Sequence, residues 1–250
     1  MTDVAVVPAP LLAHWRTWTG ASAAELAVLG SGARDQVVVV GSVAREEPGW
    51  DGDVHGVVGI ADAAGSAVVS VPPAHAEWAQ TFVAGRGSLD ELRAALPAQL
   101  GLPTYVVYRG VCRWAVDVPA ADVLPDVGEW LPATDPRVPP WLKPFGGDVL
   151  VVLDDDTYVA GVGLKHHDEH GQEISVGTEE AARGRGLARR LVAQAARTLL
   201  ARGIVPTYLH DPANVASGKV ADAAGFPDRG WTVLGIAGPR ELAEAAGDDG

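Results

Sequence analysis

The stretch "EISVGTEEAARGRGLARRLVAQAARTLL", residues 173–200, decides the fold. A β-rich run ends at Thr178. Small residues and two acids follow, then Arg183-Gly184-Arg185-Gly186, then an amphipathic run with no breaker for about four turns. A helix N-terminus presents unpaired backbone N–H groups and roughly half a positive charge from the dipole. Glycines there let an anion approach the backbone, and arginine forks match phosphate oxygens. The stretch therefore reads as a strand–loop–helix cradle for a pyrophosphate. Two other phosphate-binding spacings fail. Gly184-Arg185-Gly186 is followed by Leu187-Ala188-Arg189, where a dinucleotide fingerprint needs a third glycine. Gly218-Lys219 lacks the upstream glycine and the hydroxyl residue of a P-loop.

Around that stretch the pattern predicts strands at 148–154, 157–167 and 173–178, a helix over 184–202 closed by Gly203, a strand at 204–210, a short helix ending at Gly225, and a strand at 231–236. The order is β-β-β-α-β-α-β. Further upstream, residues 10–30 read as helical, 36–44 as a strand, and 53–73 as two strands turning at Gly65. Helices follow at 74–83 and 88–99, the second opened by the capping-box pattern Ser88-Leu89-Asp90-Glu91, and a strand at 104–116. The proline-rich run 117–147 reads as an irregular connector that packs through Trp130, Trp141 and Phe145. The expected organisation is an N-terminal α/β half over 1–127, a second domain over 128–240, and an acidic tail over 241–250.

A formal charge of −13 argues against nucleic acid as the main partner, because phosphate backbones need clustered lysine and arginine. No apolar run is long enough to span a bilayer, and "MTDVAVVPAP" shows neither a basic segment nor a signal core, so no membrane and a cytoplasmic location are expected. The single cysteine, Cys112, excludes an internal disulfide and reads as packing. "KHHDEH" (165–170) brings three histidines into a hairpin, where alternate residues face opposite sides, so no metal is expected.

The residues Arg183-Gly184-Arg185-Gly186-Leu187-Ala188 resemble the cofactor motif [RQ]-x-x-G-x-[GA] of the GCN5-related N-acetyltransferases. Asn214, Ser217 and Gly225-Phe226 resemble that family's second block. The resemblance covers about 128–240, and the whole chain looks similar to bacterial acetyltransferases with an extra N-terminal half. That half reads as a degenerate copy, because "VSVPPAHAEW" stands where its loop would be. The resemblance implies an α+β fold with a mixed sheet flanked by helices, and an acetyl-CoA-dependent acyl transfer to an amine without a metal. It implies pyrophosphate binding by residues 183–188, thioester polarisation by a backbone N–H near Val176 (with Gly177 and Thr178 beside it), and Asn214 and Ser217 along the pantetheine arm.

Direct attack by an amine needs a proton acceptor. The candidates are Glu173, His170 and His210. The family's frequent acid, a tyrosine on the second helix, is replaced by Ala221; Tyr208, His210 and Ser217 are the nearest substitutes. Acids at 154–156, 168, 169, 173, 179 and 180 point to a small cationic amine as acceptor. Acetylation of a protein N-terminus or lysine, and an acyl-CoA-binding module with weak catalysis, are the alternatives. A homodimer is left open.

Overall fold

The computed structural model describes residues 7–239; the expected tail over 241–250 lies outside the described residues. The chain forms two compact units, one of residues up to Val111 together with those from Arg229 on, the other Cys112–Asp228. The boundary thus falls at 111/112, where the sequence reading draws it at 127/128.

In the first unit, α1 (Ala9–Thr19) ends where Gly20 turns left-handed, with φ of 73°, and Ser22 opens α2 (Ala23–Leu26) through a capping box with Glu25. The helix expected over 10–30 is therefore two. A Cβ at Gly20 would stand 2.5 Å from the Ser42 hydroxyl, so close packing as well as the turn selects glycine there. After β1 (Val37–Gly41) comes Arg45, 6% exposed. Its guanidinium donates to the carbonyls of Trp18, in the last turn of α1, and of His55. The Trp18 carbonyl, at a helix C-terminus, carries partial negative charge, and burial lowers the Arg45 pKa to about 10.

The strands β2 (Val58–Ala61) and β3 (Ala67–Val71) are joined by a turn in which Asp62 accepts from the N–H groups of Ala64 and Ser66. Then come α3 (Pro73–Ala84), α4 (Leu89–Gln99) with the expected Ser88–Glu91 capping box, and β4 (Val106–Trp114). Leu92, Leu96, Val69 and Val71 form the core under these helices.

The second unit holds β5 (Glu129–Pro132), β6 (Asp148–Asp154), β7 (Thr157–His166), β8 (Gly171–Thr178), α5 (Leu187–Ala201), β9 (Val205–His210) and α6 (Val215–Ala223). Strands β5 to β8 are antiparallel in sequence order, and β9 joins β8 in parallel. On one face, Leu191, Val192, Ala195 and Leu199 of α5 pack on Val162, Leu164 and Ile174. Burial of each such large side chain contributes about 1.5–3 kcal/mol.

The connector and the start of β8 also depart from the expectation. The connector over 117–147 contains β5, paired Glu129↔Val151, and a short 3-10 helix at Pro140–Phe145. Its aromatic residues do pack: Phe145 lies over Gly163 and Trp141 over Gly177, where a Cβ would come within 2.4 and 2.8 Å of the rings. β8 also starts earlier than expected, because Asp168 accepts from the N–H groups of His170 and Gly171 and closes the turn early. The final strand, β10 (Thr232–Ala237), returns to the first unit and pairs antiparallel with both β2 and β4. The observed class is a mixed α/β fold, with mixed sheets flanked by helices. Among the described residues, no helix is long and apolar enough to cross a membrane.

Candidate active site

β8 is paired along its whole length on one side, from His166↔Gln172 to Ala160↔Thr178 with β7. On the other side its parallel ladder to β9 runs only from Gly171↔Val205 to Ile174↔Tyr208. Among the described residues, β8 from Ser175 onward has a strand neighbour on one side alone. Val176, Gly177 and Thr178 lie beyond the last rung of that ladder. Gly177 also has a packing reason to be glycine, the Trp141 ring.

The split leads into the Arg183–Gly186 loop. Gly184 and Gly186 take φ of 77° and 73°, a conformation that costs a residue with a Cβ about 1–2 kcal/mol. These two residues delay the helix, so α5 starts at Leu187 and not at 184. Gly186 is the N-cap and no side chain caps the helix, which leaves the N–H groups of Leu187 and Ala188 to face outward from the end. Arg189 reaches back over Gly186, its guanidinium 3.0 Å from where a Cβ would stand. Arg185 pairs with Asp154 at 3.3 Å, both more than half exposed. The Thr178 hydroxyl oxygen, at the end of β8, is buried without a hydrogen-bond partner among the described residues. Uncapped amides, two left-handed glycines, arginines and an orphaned hydroxyl fit an elongated ligand that carries phosphates at one end.

On the facing element, Asn214 caps α6 by accepting from the Ser217 N–H at 2.7 Å. Ser217 in turn shares a 2.8 Å hydrogen bond with Tyr208, the last residue of the β8–β9 ladder. Burial raises the Tyr208 pKa. Residues 176–178 and the 183–188 loop follow the last rung of the ladder, and Ser217 is tied to that rung through Tyr208.

The three proton-transfer candidates are placed differently. His170 sits at the opposite end of β8, about 20 Å from Val176 along the strand. Glu173 is 7% exposed and holds the Lys165 ammonium at 2.5 Å, with His167 at 3.6 Å. Burial pushes its pKa up, but Lys165 and His167 outweigh burial and hold the carboxyl at about 2. A carboxylate held so low is a weak base at neutral pH. His210 has both ring nitrogens engaged: Nδ1 faces the Asp211 carbonyl at 2.8 Å and Nε2 accepts from Arg113 Nε at 3.0 Å, which sets the tautomer with Nδ1 protonated.

Arg113 is the residue the sequence reading missed. It is 5% exposed near the end of β4, in the run "YRGVCRW", and nothing in that pattern separates it from an ordinary strand residue. Besides His210 it donates to Asp222 at 2.5 Å and to the Phe226 carbonyl at 3.0 Å, with Asp228 at 3.7 Å. Among the described residues, no group of three or more metal-ligating side chains occurs.

Residues 116–226 match the model of the acetyltransferase (GNAT) family, inside the Cys112–Asp228 unit. Solved structures similar to this chain include a GNAT-family protein from Novosphingobium aromaticivorans, at 26% identity over 54% of this chain and 68% of that one, with a TM-score of 0.42. A GCN5-related N-acetyltransferase-like protein from Streptococcus suis is 18% identical over 58% of this chain and 67% of that one, with a TM-score of 0.43. An acetyltransferase of the GNAT family from Colwellia psychrerythraea is 13% identical over 56% and 60%, with a TM-score of 0.42. No curated protein matches the chain. Residues 116–226 are thus similar to acetyltransferases of the GNAT family, and this match supports acyltransferase as the enzyme class.

Proposed function

We propose that the protein transfers an acetyl group from acetyl-CoA to the primary amine of a small molecule. The observation that carries this reading is the end of the β8–β9 ladder at Ile174↔Tyr208, directly upstream of an uncapped helix entered through Gly184 and Gly186. The pyrophosphate sits on the amides of residues 183–188 with Arg185 and Arg189 beside it, and the pantetheine arm follows the split past Thr178, Asn214 and Ser217. A backbone N–H near Val176 polarises the thioester carbonyl. The amine nitrogen forms a bond to the acyl carbon, the C–S bond breaks, and the electron pair leaves on sulfur. A thiol of reference pKa about 8.5 departs readily as thiolate, so the reaction does not depend on a tyrosine at Ala221. The amine's proton leaves through solvent, because Glu173 is already fixed in an ion pair. Exposed Glu179 and Glu180 beside the loop favour a cationic acceptor. Calorimetry with acetyl-CoA, followed by thiol release across an amine library, tests the reading; a folded protein that binds no acetyl-CoA overturns it.

A second reading, an acyl-CoA-binding module with weak catalysis, draws on one observation: Glu173 and His210 are both engaged by cations. Thiol release no faster with any amine than without one would favour it.

A further inference from the structure

We infer that Arg113 is a positioning residue for acetyl-CoA, holding the β9 tip and α6 as one wall of the split. This inference rests on the acetyl-CoA reading above. Three observations carry it. The β8–β9 ladder stops at Tyr208, so the last two residues of β9 have no rung to β8 that fixes their distance from it. At that place a single guanidinium joins β9 to α6: Nε donates to His210, the last residue of β9, and Nη1 donates to Asp222 on the last turn of α6 and to the carbonyl of Phe226 just beyond it. At the other end of α6, the hydroxyls of Ser217 and Tyr208 close a second tie between the helix and the same strand. Gly218 lies beneath the first tie, where a Cβ would stand 3.4 Å from both the Arg113 and His210 side chains.

The helix that offers Asn214 and Ser217 to the split is therefore fastened to β9 at both ends. Arg113, on the side of β9 away from β8, ties the free tip of β9 to the end of α6. A wall held in this way is shaped before the ligand arrives, and a ligand gains affinity when the site spends no freedom on closing. The arginine fork matters for this role, since one planar group reaches an imidazole, a carboxylate and a carbonyl at once, which a lysine ammonium cannot do with the same geometry. Arg113 touches neither donor nor acceptor; its effect passes through α6.

The experiment is calorimetry of acetyl-CoA with wild type, Arg113→Met, Arg113→Lys and Asp222→Asn, together with steady-state kinetics at saturating acetyl-CoA. Arg113→Met is expected to raise the Kd about tenfold, or about 1.4 kcal/mol. Arg113→Lys should fall between it and wild type. In every variant kcat should stay within about twofold, because binding and not the chemical step loses support. A residue that only holds the fold together would lower the number of competent sites and leave the Kd of the remainder unchanged; that result overturns the inference. So does an unchanged Kd in folded Arg113→Met. If that variant does not fold, Asp222→Asn decides: its carboxylate is largely exposed, and a raised Kd with full stoichiometry supports the inference while an unchanged Kd sinks it. Wild type that binds no acetyl-CoA removes both readings together, whereas tight wild-type binding shared by the variants removes only this one.

Discussion

Two strand-to-helix turns in this chain serve opposite ends. In the first unit, β3 enters α3 through Pro72 and Pro73. Proline at the first helical position carries no N–H, and the His75 N–H is spent on the Pro72 carbonyl. In the second unit, β8 enters α5 through Gly184 and Gly186, and no side chain caps the helix. The prolines fix the chain direction cheaply and leave little for an anion to bind. The glycines accept a left-handed backbone so that amides stay exposed. Neither helix carries a side-chain cap; the turns differ in that the prolines remove or spend N–H groups while the glycines keep theirs, which suits the second to an anion.

The largest effect should come from making the second turn resemble the first in stiffness. Gly186→Val forces a β-branched residue into φ of 73° and places a Cβ against Arg189. We expect at least a hundredfold loss of acetyl-CoA affinity, or about 2.8 kcal/mol, with the fold retained by circular dichroism. The same titration on wild type should give one acetyl-CoA per chain. A stoichiometry near two would break the contrast between the turns.

Next in size is Glu173→Gln. The change leaves the Lys165 ammonium beside a neutral amide, and loss of one partner of a buried pair costs about 3 kcal/mol. A lower melting temperature is expected, with turnover per folded molecule reduced less than tenfold; a far larger loss of turnover at unchanged cofactor affinity would restore Glu173 as the base. The pH dependence has a definite sign. The native carboxyl titrates near 2 and the unfolded one at the ordinary 4.5, so its contribution is fully present above about 4.5 and is lost as pH falls toward 2. Wild type should lose stability over that window more steeply than Glu173→Gln in acid melts.

Smaller still is Arg185→Ala. Arg185 is half exposed and pairs with Asp154, so its removal should weaken acetyl-CoA binding severalfold at low salt and less at high salt, by calorimetry. The smallest is the acceptor effect: kcat/KM for a cationic amine should fall about twofold between low salt and 0.1 M, where charges are screened over about 10 Å. No response to salt would remove the electrostatic preference.

Much of the second unit was legible because its signals are local. Left-handed glycines, the Asn214 cap and the amphipathic run over 187–201 are all properties of short stretches. β5 was not legible: four residues ending in Pro132 show no alternation, and pairing with β6 makes them a strand. Arg113 was not legible either, since its partners come from positions 210, 222, 226 and 228, about a hundred residues downstream. The roles of Glu173 and His210 depended on long-range neighbours in the same way. Their residue types suit proton transfer; the cations packed on them do not.

The return of β10 to the first unit has a consequence for how the protein is made. β10 pairs β2 on one edge and β4 on the other, yet it leaves the ribosome roughly 120 residues after β4. At usual rates of synthesis that is about 6–24 s. Throughout that interval the nascent first unit exposes two strand edges that will later be central, while the second unit, whose sequence is continuous, can already fold. The order of completion on the ribosome is therefore the reverse of the order of synthesis. A chaperone that shields strand edges should matter most in that interval, and a chain stopped before residue 232 should keep its second unit folded and aggregate through its first.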